Sequence, residues 1–144
     1  MDNHEVEILI VDDSVDDAEL AIRALRKHHL TSKLIHLTDG VEALDFLYGT
    51  GRFSERNIDI KPKVIFLDLK MPRLSGLQVL EKIKADPNLR SIPIVILTSS
   101  AEDPDVKKSY ALGANSYIVK PVEFENFAKT ISDLGLYWVV INKG

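Results

Sequence analysis

Four short apolar runs punctuate the chain: Ile8-Leu9-Ile10-Val11, Val64-Ile65-Phe66-Leu67, Ile94-Val95-Ile96-Leu97 and Tyr117-Ile118-Val119. Runs of Val, Ile, Leu and Phe that are apolar on both faces suit strands buried on two sides in a parallel sheet. Between them the apolar positions fall at helical spacing, so the pattern predicts a βα-repeating α/β protein with five strands and five helices. The first strand covers about Glu7 to Val11. Ser14 can then cap a helix with Ala18, Ile22 and Leu25 on one face, and Asp16 and Asp17 suit its positive end. A second strand near Lys33 to Leu37 precedes a helix with Val41, Leu44 and Leu47 on one face, closed by Gly49. Gly49 to Lys61 is polar and reads as a surface loop before the third strand. A third helix is predicted from Ser75 to Ala85 with Leu77, Leu80 and Ile83 inward, stopped by Asp86-Pro87-Asn88. A fourth runs from Asp103 to Leu112, with Val106 and Tyr110 four residues apart and Gly113 behind it. After a fifth strand, Ser116 to Val119, the last helix carries Phe124, Phe127, Ile131 and Leu134 on one stripe.

The charged residues are informative because of where the apolar runs stop. Asp12 and Asp13 follow the first strand, Asp68 the third, and Lys120 the fifth, while Thr98 follows the fourth. In open parallel sheets the carboxyl ends of the strands are where ligands bind. Right-handed crossovers bring neighbouring strand ends together, so Asp12, Asp13 and Asp68 can share one acidic hollow. Carboxylates that close repel, and a hard divalent cation with oxygen ligands relieves the repulsion; magnesium with one or two carboxylates and retained waters is the usual solution. The Thr98 hydroxyl and the Lys120 ammonium can hold phosphoryl oxygens. A strand-end carboxylate can itself accept a phosphoryl group, and Asp68, alone on the middle strand, is the best candidate.

Composition removes other classes. The 144 residues fit one domain with a substantial core. Twenty-two acidic against 18 basic side chains give a net charge of -4, the wrong sign for a protein held mainly by nucleic-acid phosphates. The absence of cysteine excludes a disulfide framework, a zinc thiolate site and a thiol nucleophile. The start Met1-Asp2-Asn3-His4-Glu5 is unlike a secretory signal, and the apolar runs fall far short of the ~20 residues that span a bilayer. A soluble, cytoplasmic protein with no nucleic-acid or membrane partner is expected.

From Ile8 to about Leu134 the chain resembles the receiver domain of bacterial two-component response regulators. The resemblance is carried by Asp12-Asp13, by Asp68 with Lys70-Met71-Pro72 and Gly76, by Thr98-Ser99, and by Lys120-Pro121. Their order and spacing on successive strands make it specific. It implies a flavodoxin-like, doubly wound five-stranded parallel sheet in the order 2-1-3-4-5. It further implies Asp68 as phosphoacceptor, Asp13 and Asp68 as direct Mg2+ ligands, Asp12 as a ligand through water, and the backbone carbonyl of Lys70 as another. Thr98 and Tyr117 then move together on phosphorylation, Lys120 holds the phosphoryl group, and the Lys120-Pro121 bond is cis. Outside these motifs, Asp17-Ala18-Glu19-Leu20, Glu42-Ala43-Leu44-Asp45-Phe46-Leu47, Ser109-Tyr110-Ala111-Leu112-Gly113 and Gly135-Leu136-Tyr137-Trp138 are similar to single-domain response regulators that pair with bacterial phytochromes. In that subfamily a sensor histidine kinase is the donor, and homodimers form through the fourth helix, fifth strand and fifth helix. Contacts from the 135–144 tail are expected to add to that dimer.

Competing readings are weaker. A calcium loop counted from Asp12 has Asp17 where glycine is needed and Arg23 where the closing Glu belongs. Gly49-Thr50-Gly51 follows a helix rather than a strand and has Ser54 at the third glycine position, so it reads as a plain turn. His28 and His29 suit the end of the first helix, and His4 and His36 have no motif partner. A Mg2+-dependent aspartyl-phosphate hydrolase is disfavoured by Asp68-Leu69-Lys70, since haloacid-dehalogenase-like phosphatases place a second acid two residues after the nucleophile. A receiver-like scaffold that is never phosphorylated is disfavoured by the intact acid set. The expectation is therefore a non-enzymatic phosphoacceptor, a single domain with core residues 6–134, an extension at 135–144 and no output domain.

Overall fold

The computed structural model describes residues 7–27, 33–121 and 123–133. His4, His28, His29, Leu134 and the 135–144 extension lie outside them, as do the side chains of Leu25, Phe124, Phe127 and Ile131. The strands are β1 (Ile8–Val11), β2 (Leu34–Leu37), β3 (Val64–Leu67), β4 (Ile94–Thr98) and β5 (Ser116–Val119). The helices are α1 (Val15–Lys27), α2 (Gly40–Tyr48), α3 (Gly76–Ala85), α4 (Asp103–Ala111) and α5 (Phe124–Asp133). All pairings are parallel and the order is β2-β1-β3-β4-β5, the doubly wound topology expected.

Every residue of β1, β3 and β4 is buried. Side chains alternate across the sheet, so each strand feeds two cores. Leu9, Val11, Ile65, Leu67, Ile94 and Ile96 pack toward α2 and α3, with Phe46, Val79, Leu80 and Ile83. Ile8, Ile10, Val64, Phe66, Val95, Leu97 and Ile118 pack on the other face, with Ala18 and Ala21 of α1. Each of the larger side chains, fully buried, is worth about 1.5–3 kcal/mol of transfer free energy.

Two details differ from expectation. The buried residues of α2 include Ala43 and Phe46 besides Leu47; Leu44 packs partly buried against the same core and, with Val41, lines a groove against α3 with Leu74 and Pro87. The 49–61 connection is not merely polar loop. It contains a 3-10 turn, Gly51–Phe53, whose Phe53 ring is buried edge-on to Phe46 at 5.2 Å between centroids. Arg56 closes that connection: its guanidinium lies 3.9 Å over the Phe46 ring and donates to the carbonyls of Phe46 (2.8 Å) and Ile60 (2.7 Å).

The ends of the helices explain how the strand exits are aimed. Asp39 caps α2 by accepting from the Glu42 N–H at 2.8 Å, and Gly49 ends it at φ 69°. Ser75 and Gln78 form a reciprocal capping box at the start of α3. Gly76, the first residue of that helix, has no room for a side chain, because a Cβ there would lie 2.0 Å from the Asp68 carbonyl oxygen. Its N–H donates to Leu69 at 2.8 Å, so α3 starts directly against the backbone of the β3 exit.

Candidate functional site

The sheet register itself sets the strand ends side by side. Asp68 N–H donates to Val11 (2.9 Å), Asp12 N–H to Leu37 (3.0 Å) and Lys120 N–H to Thr98 (2.8 Å), so the ladder continues one residue past the apolar runs. One carboxylate oxygen from each of Asp12, Asp13 and Asp68 lies within 4.8 Å of the others. Asp12 and Asp68 are buried, at 2% and 6% exposure, and Asp13 faces solvent.

Lys120 answers this negative charge. Its Nζ lies 2.7 Å from Asp12 Oδ2, 3.1 Å from Asp17 Oδ2 and 3.4 Å from Asp68 Oδ2, with only 10% of the side chain exposed. Burial alone would lower the lysine pKa, yet the bonds to Asp12 and Asp17 and the charge of Asp68 outweigh it and raise it. Asp12 goes the other way for an acid. Burial raises its pKa, and the bonds from Lys120 and from the Ser14 N–H (2.9 Å) do not fully offset that and the repulsion of Asp68. The backbone carbonyl of Asp12 also accepts from His36 Nε2 at 2.9 Å, which places the imidazole proton on that nitrogen.

Thr98 is the last residue of β4 rather than the first beyond it, and is fully buried. The Ser100 N–H approaches its Oγ1 at 3.5 Å. Tyr117, half-buried on β5, donates its hydroxyl to the Ser100 carbonyl at 2.8 Å. Burial raises the tyrosine pKa; the Ser100 bond opposes the rise, and the charges of Asp105, Asp68 and Glu102 add to it. Ser100 therefore stands between the threonine and the tyrosine, and its own hydroxyl bonds Asp105 in the first turn of α4. The Lys70 N–H approaches Asp68 Oδ1 at 3.5 Å from an exposed position at the mouth, and the Lys120–Pro121 peptide is cis.

The site thus gathers Asp12, Asp13, Asp68 and Lys120 into one cluster, with Thr98 and Tyr117 joined through Ser100 beside it. Sequence reasoning missed Ser100 as that joint, Asp17 as a partner of Lys120, and His36 as the support of the Asp12 backbone. Asp17 carried a signal, an acid four residues after Asp13, but it read equally well as a helix-dipole acid. A donor set of clustered carboxylates, hard and oxygen-only, fits a divalent cation of the magnesium or manganese kind. No helix among the described residues is long and apolar enough to cross a membrane.

Comparison with known proteins agrees with this geometry. The family described as "Response regulator receiver domain" matches residues 8–132. The chain is 37% identical over 136 residues to a probable methanogenesis regulatory protein, FilR2, of Methanothrix harundinacea, covering 94% of this chain and 85% of that one. It is 35% identical over 132 residues to the response regulator Rcp1 of Synechocystis sp., covering 92% and 88%. The solved Mn(2+)-bound form of Rcp1 matches with a TM-score of 0.76, at 34% identity over 93% of this chain and 94% of that one. The bacteriophytochrome response regulator RtBRR matches with a TM-score of 0.86 and 47% identity, over 96% of this chain and 83% of the other.

Proposed function

The chain belongs to the response regulator receiver domain family, and on that premise we propose that Asp68 accepts a phosphoryl group from a phosphohistidine of a sensor histidine kinase. The observation that carries this reading is the buried Asp68 carboxylate, flanked by Asp12 and Asp13 and within 3.4 Å of the Lys120 ammonium. An Asp68 oxygen attacks phosphorus; the O–P bond forms as the N–P bond breaks, and the imidazole leaves with the electron pair. Lys120 then exchanges its contact with the Asp68 carboxylate for one with a phosphoryl oxygen, a charge-assisted bond. The Thr98 hydroxyl turns from the Ser100 N–H toward the same group. That movement disturbs the Ser100 carbonyl that Tyr117 holds, and so reaches the β4–α4 connection and the α4–β5 face.

Asp12, Asp13, Asp68 and the Lys70 carbonyl are the residues that would hold Mg2+, and the cation would neutralise charge on the transferring group. The protein acts as a switch on its partners rather than as a catalyst for other substrates. By similarity to Rcp1 and RtBRR, the donor is a kinase of the phytochrome class. Tyr110 and Val119, exposed at 48% and 39%, put apolar surface on α4 and β5 for a homodimer through the α4–β5–α5 face.

The test is intact mass after incubation with magnesium and acetyl phosphate. A one-phosphate adduct in the wild type that Asp68→Asn lacks supports the reading, and an unmodified wild type rejects it. Sedimentation with and without beryllofluoride tests the dimer; a monomer under both conditions rejects that part.

A further inference from the structure

Three carboxylates compete for the single Lys120 ammonium, and the phosphoacceptor is the farthest of them. Asp12 at 2.7 Å is one of the metal-type cluster, but Asp17, the next nearest at 3.1 Å, is not. Were a cation held among Asp12, Asp13 and Asp68, Asp12 would be drawn to it, and Asp17, outside that cluster, would remain the carboxylate that holds the lysine. The fold fixes it there. Asp17 sits in the first turn of α1, where its N–H donates to Ser14 Oγ at 3.2 Å. Its carboxylate is 43% exposed at the mouth of a cavity of about 270 Å³, bordered by Leu20, Ser99, Lys120 and Pro121.

We infer that Asp17 is a positioning residue that tethers Lys120 away from the phosphoryl group on Asp68 and so limits how firmly the phosphorylated state is held. This rests on Asp68 being the phosphoacceptor. The ammonium has three donor protons and no acceptor, and each one committed to Asp17 is one not offered to a phosphoryl oxygen. Asp17 does not touch the transferring group; it acts through the lysine. Its negative charge is half in solvent, so the competition is modest and tunable rather than all-or-none.

The experiment compares wild type, Asp17→Asn, Asp17→Glu and Asp16→Asn. Asp16 is the neighbouring acid of the same helical turn, so its variant matches the loss of charge without touching the lysine. Three quantities are read: beryllofluoride affinity in magnesium by calorimetry, half-life of the phosphoryl adduct by intact mass, and exchange of the Lys120 ammonium protons by nitrogen-15 NMR in metal-free protein. Asp17→Asn is expected to bind beryllofluoride about threefold more tightly, the scale of one partly exposed ion pair. It should lengthen the adduct half-life by a similar factor and speed ammonium exchange, while Asp17→Glu and Asp16→Asn stay near wild type. Equal values for Asp17→Asn and Asp16→Asn would overturn the tether, as would weaker beryllofluoride binding by Asp17→Asn. If the wild type itself takes up neither beryllofluoride nor phosphate, the phosphoacceptor reading falls first and the tether falls with it.

Discussion

Two groups of acids sit about one loop apart along the sheet edge, and their charges are treated in opposite ways. At the start of α2, burial works against ionised Asp39, but the Glu42 N–H and Arg73 overcome it and lower its pKa. The Thr38 N–H, first among the causes, lowers that of Glu42, aided by the Thr38 hydroxyl and Arg52. In the strand-end hollow, Asp12 is raised by burial even with Lys120 at 2.7 Å. The first group is neutralised by the molecule's own dipoles and guanidinium groups, so it needs nothing further. The second holds three carboxylates against one lysine and is left short of positive charge. An acid whose charge the fold completes serves as a cap, and acids whose charge the fold leaves incomplete have the donor chemistry to take a hard cation.

The sharpest contrast is chemical. Asp68→Asn is expected to abolish the phosphoryl adduct outright, whereas Asp39→Asn, which keeps a competent cap, should be phosphorylated as the wild type is; intact mass reads both. An adduct surviving in Asp68→Asn would move the acceptor to another acid and end the distinction. Next in size is removal of the shared cation. Lys120→Met leaves buried carboxylates unpaired and should cost about 3–5 kcal/mol of unfolding free energy in chelator. Added magnesium should restore part of it by binding the folded state. Denaturant unfolding with and without the metal measures this, and no recovery would argue against a cation site among these acids.

What the sequence conveyed and what it hid follow the same division. The strands were legible because β1, β3 and β4 are buried on both faces, which leaves no polar position to blur the run. The strand-end residues were legible because a charge directly after such a run has nowhere else to go. The role of Asp17 was hidden because its partner is 103 residues away and only the β1–β3–β4–β5 order brings them together. The inward face of α2 was legible only in part: Leu47 is buried and Leu44 packs against the core, but Ala43 and Phe46, off the Val41–Leu44–Leu47 stripe, carry the deepest contact with the sheet. Phe53 and Arg56 were hidden in a polar stretch with no period. Arg56 is nonetheless a half-buried cation of a different kind from Lys120: burial lowers its pKa, and its partners are two carbonyls and a ring. Held by neutral groups, it has no carboxylate partner among the described residues to exchange for a ligand.

A smaller effect is expected from the cap itself. Asp39→Ala removes the acceptor for the Glu42 N–H and also the partner of Arg73, which sits at φ 65° in the β3–α3 connection. Loss of an N-cap costs about 1 kcal/mol. Asp39→Asn, which retains the hydrogen bond and discards only the charge, should lose less. If the two variants are equally unstable, the ion pair with Arg73 rather than the cap holds the turn.

The finest test is the sign of the pH dependence in chelator. Asp39 and Glu42 have lowered pKa values in the folded protein, so their contribution to stability is complete above their ordinary values of 3.8 and 4.5 and is lost as pH falls through the lowered ones. Asp12 is raised, so its contribution is complete below 3.8 and is lost as pH rises through the raised value. The two trends have opposite signs and meet near the ordinary carboxylate values, the first acting below them and the second above 3.8. Each can be removed in its own window: in Asp12→Asn stability should fall less as pH rises above 3.8, and in Asp39→Asn it should climb less steeply with pH below 3.8 than in wild type. Thermal or denaturant unfolding at a series of pH values reads the slopes. An equal or steeper fall above 3.8 in Asp12→Asn would mean that Lys120 already completes the charge of Asp12, which would turn the strand-end acid into another cap and remove the physical reason for a cation beside it.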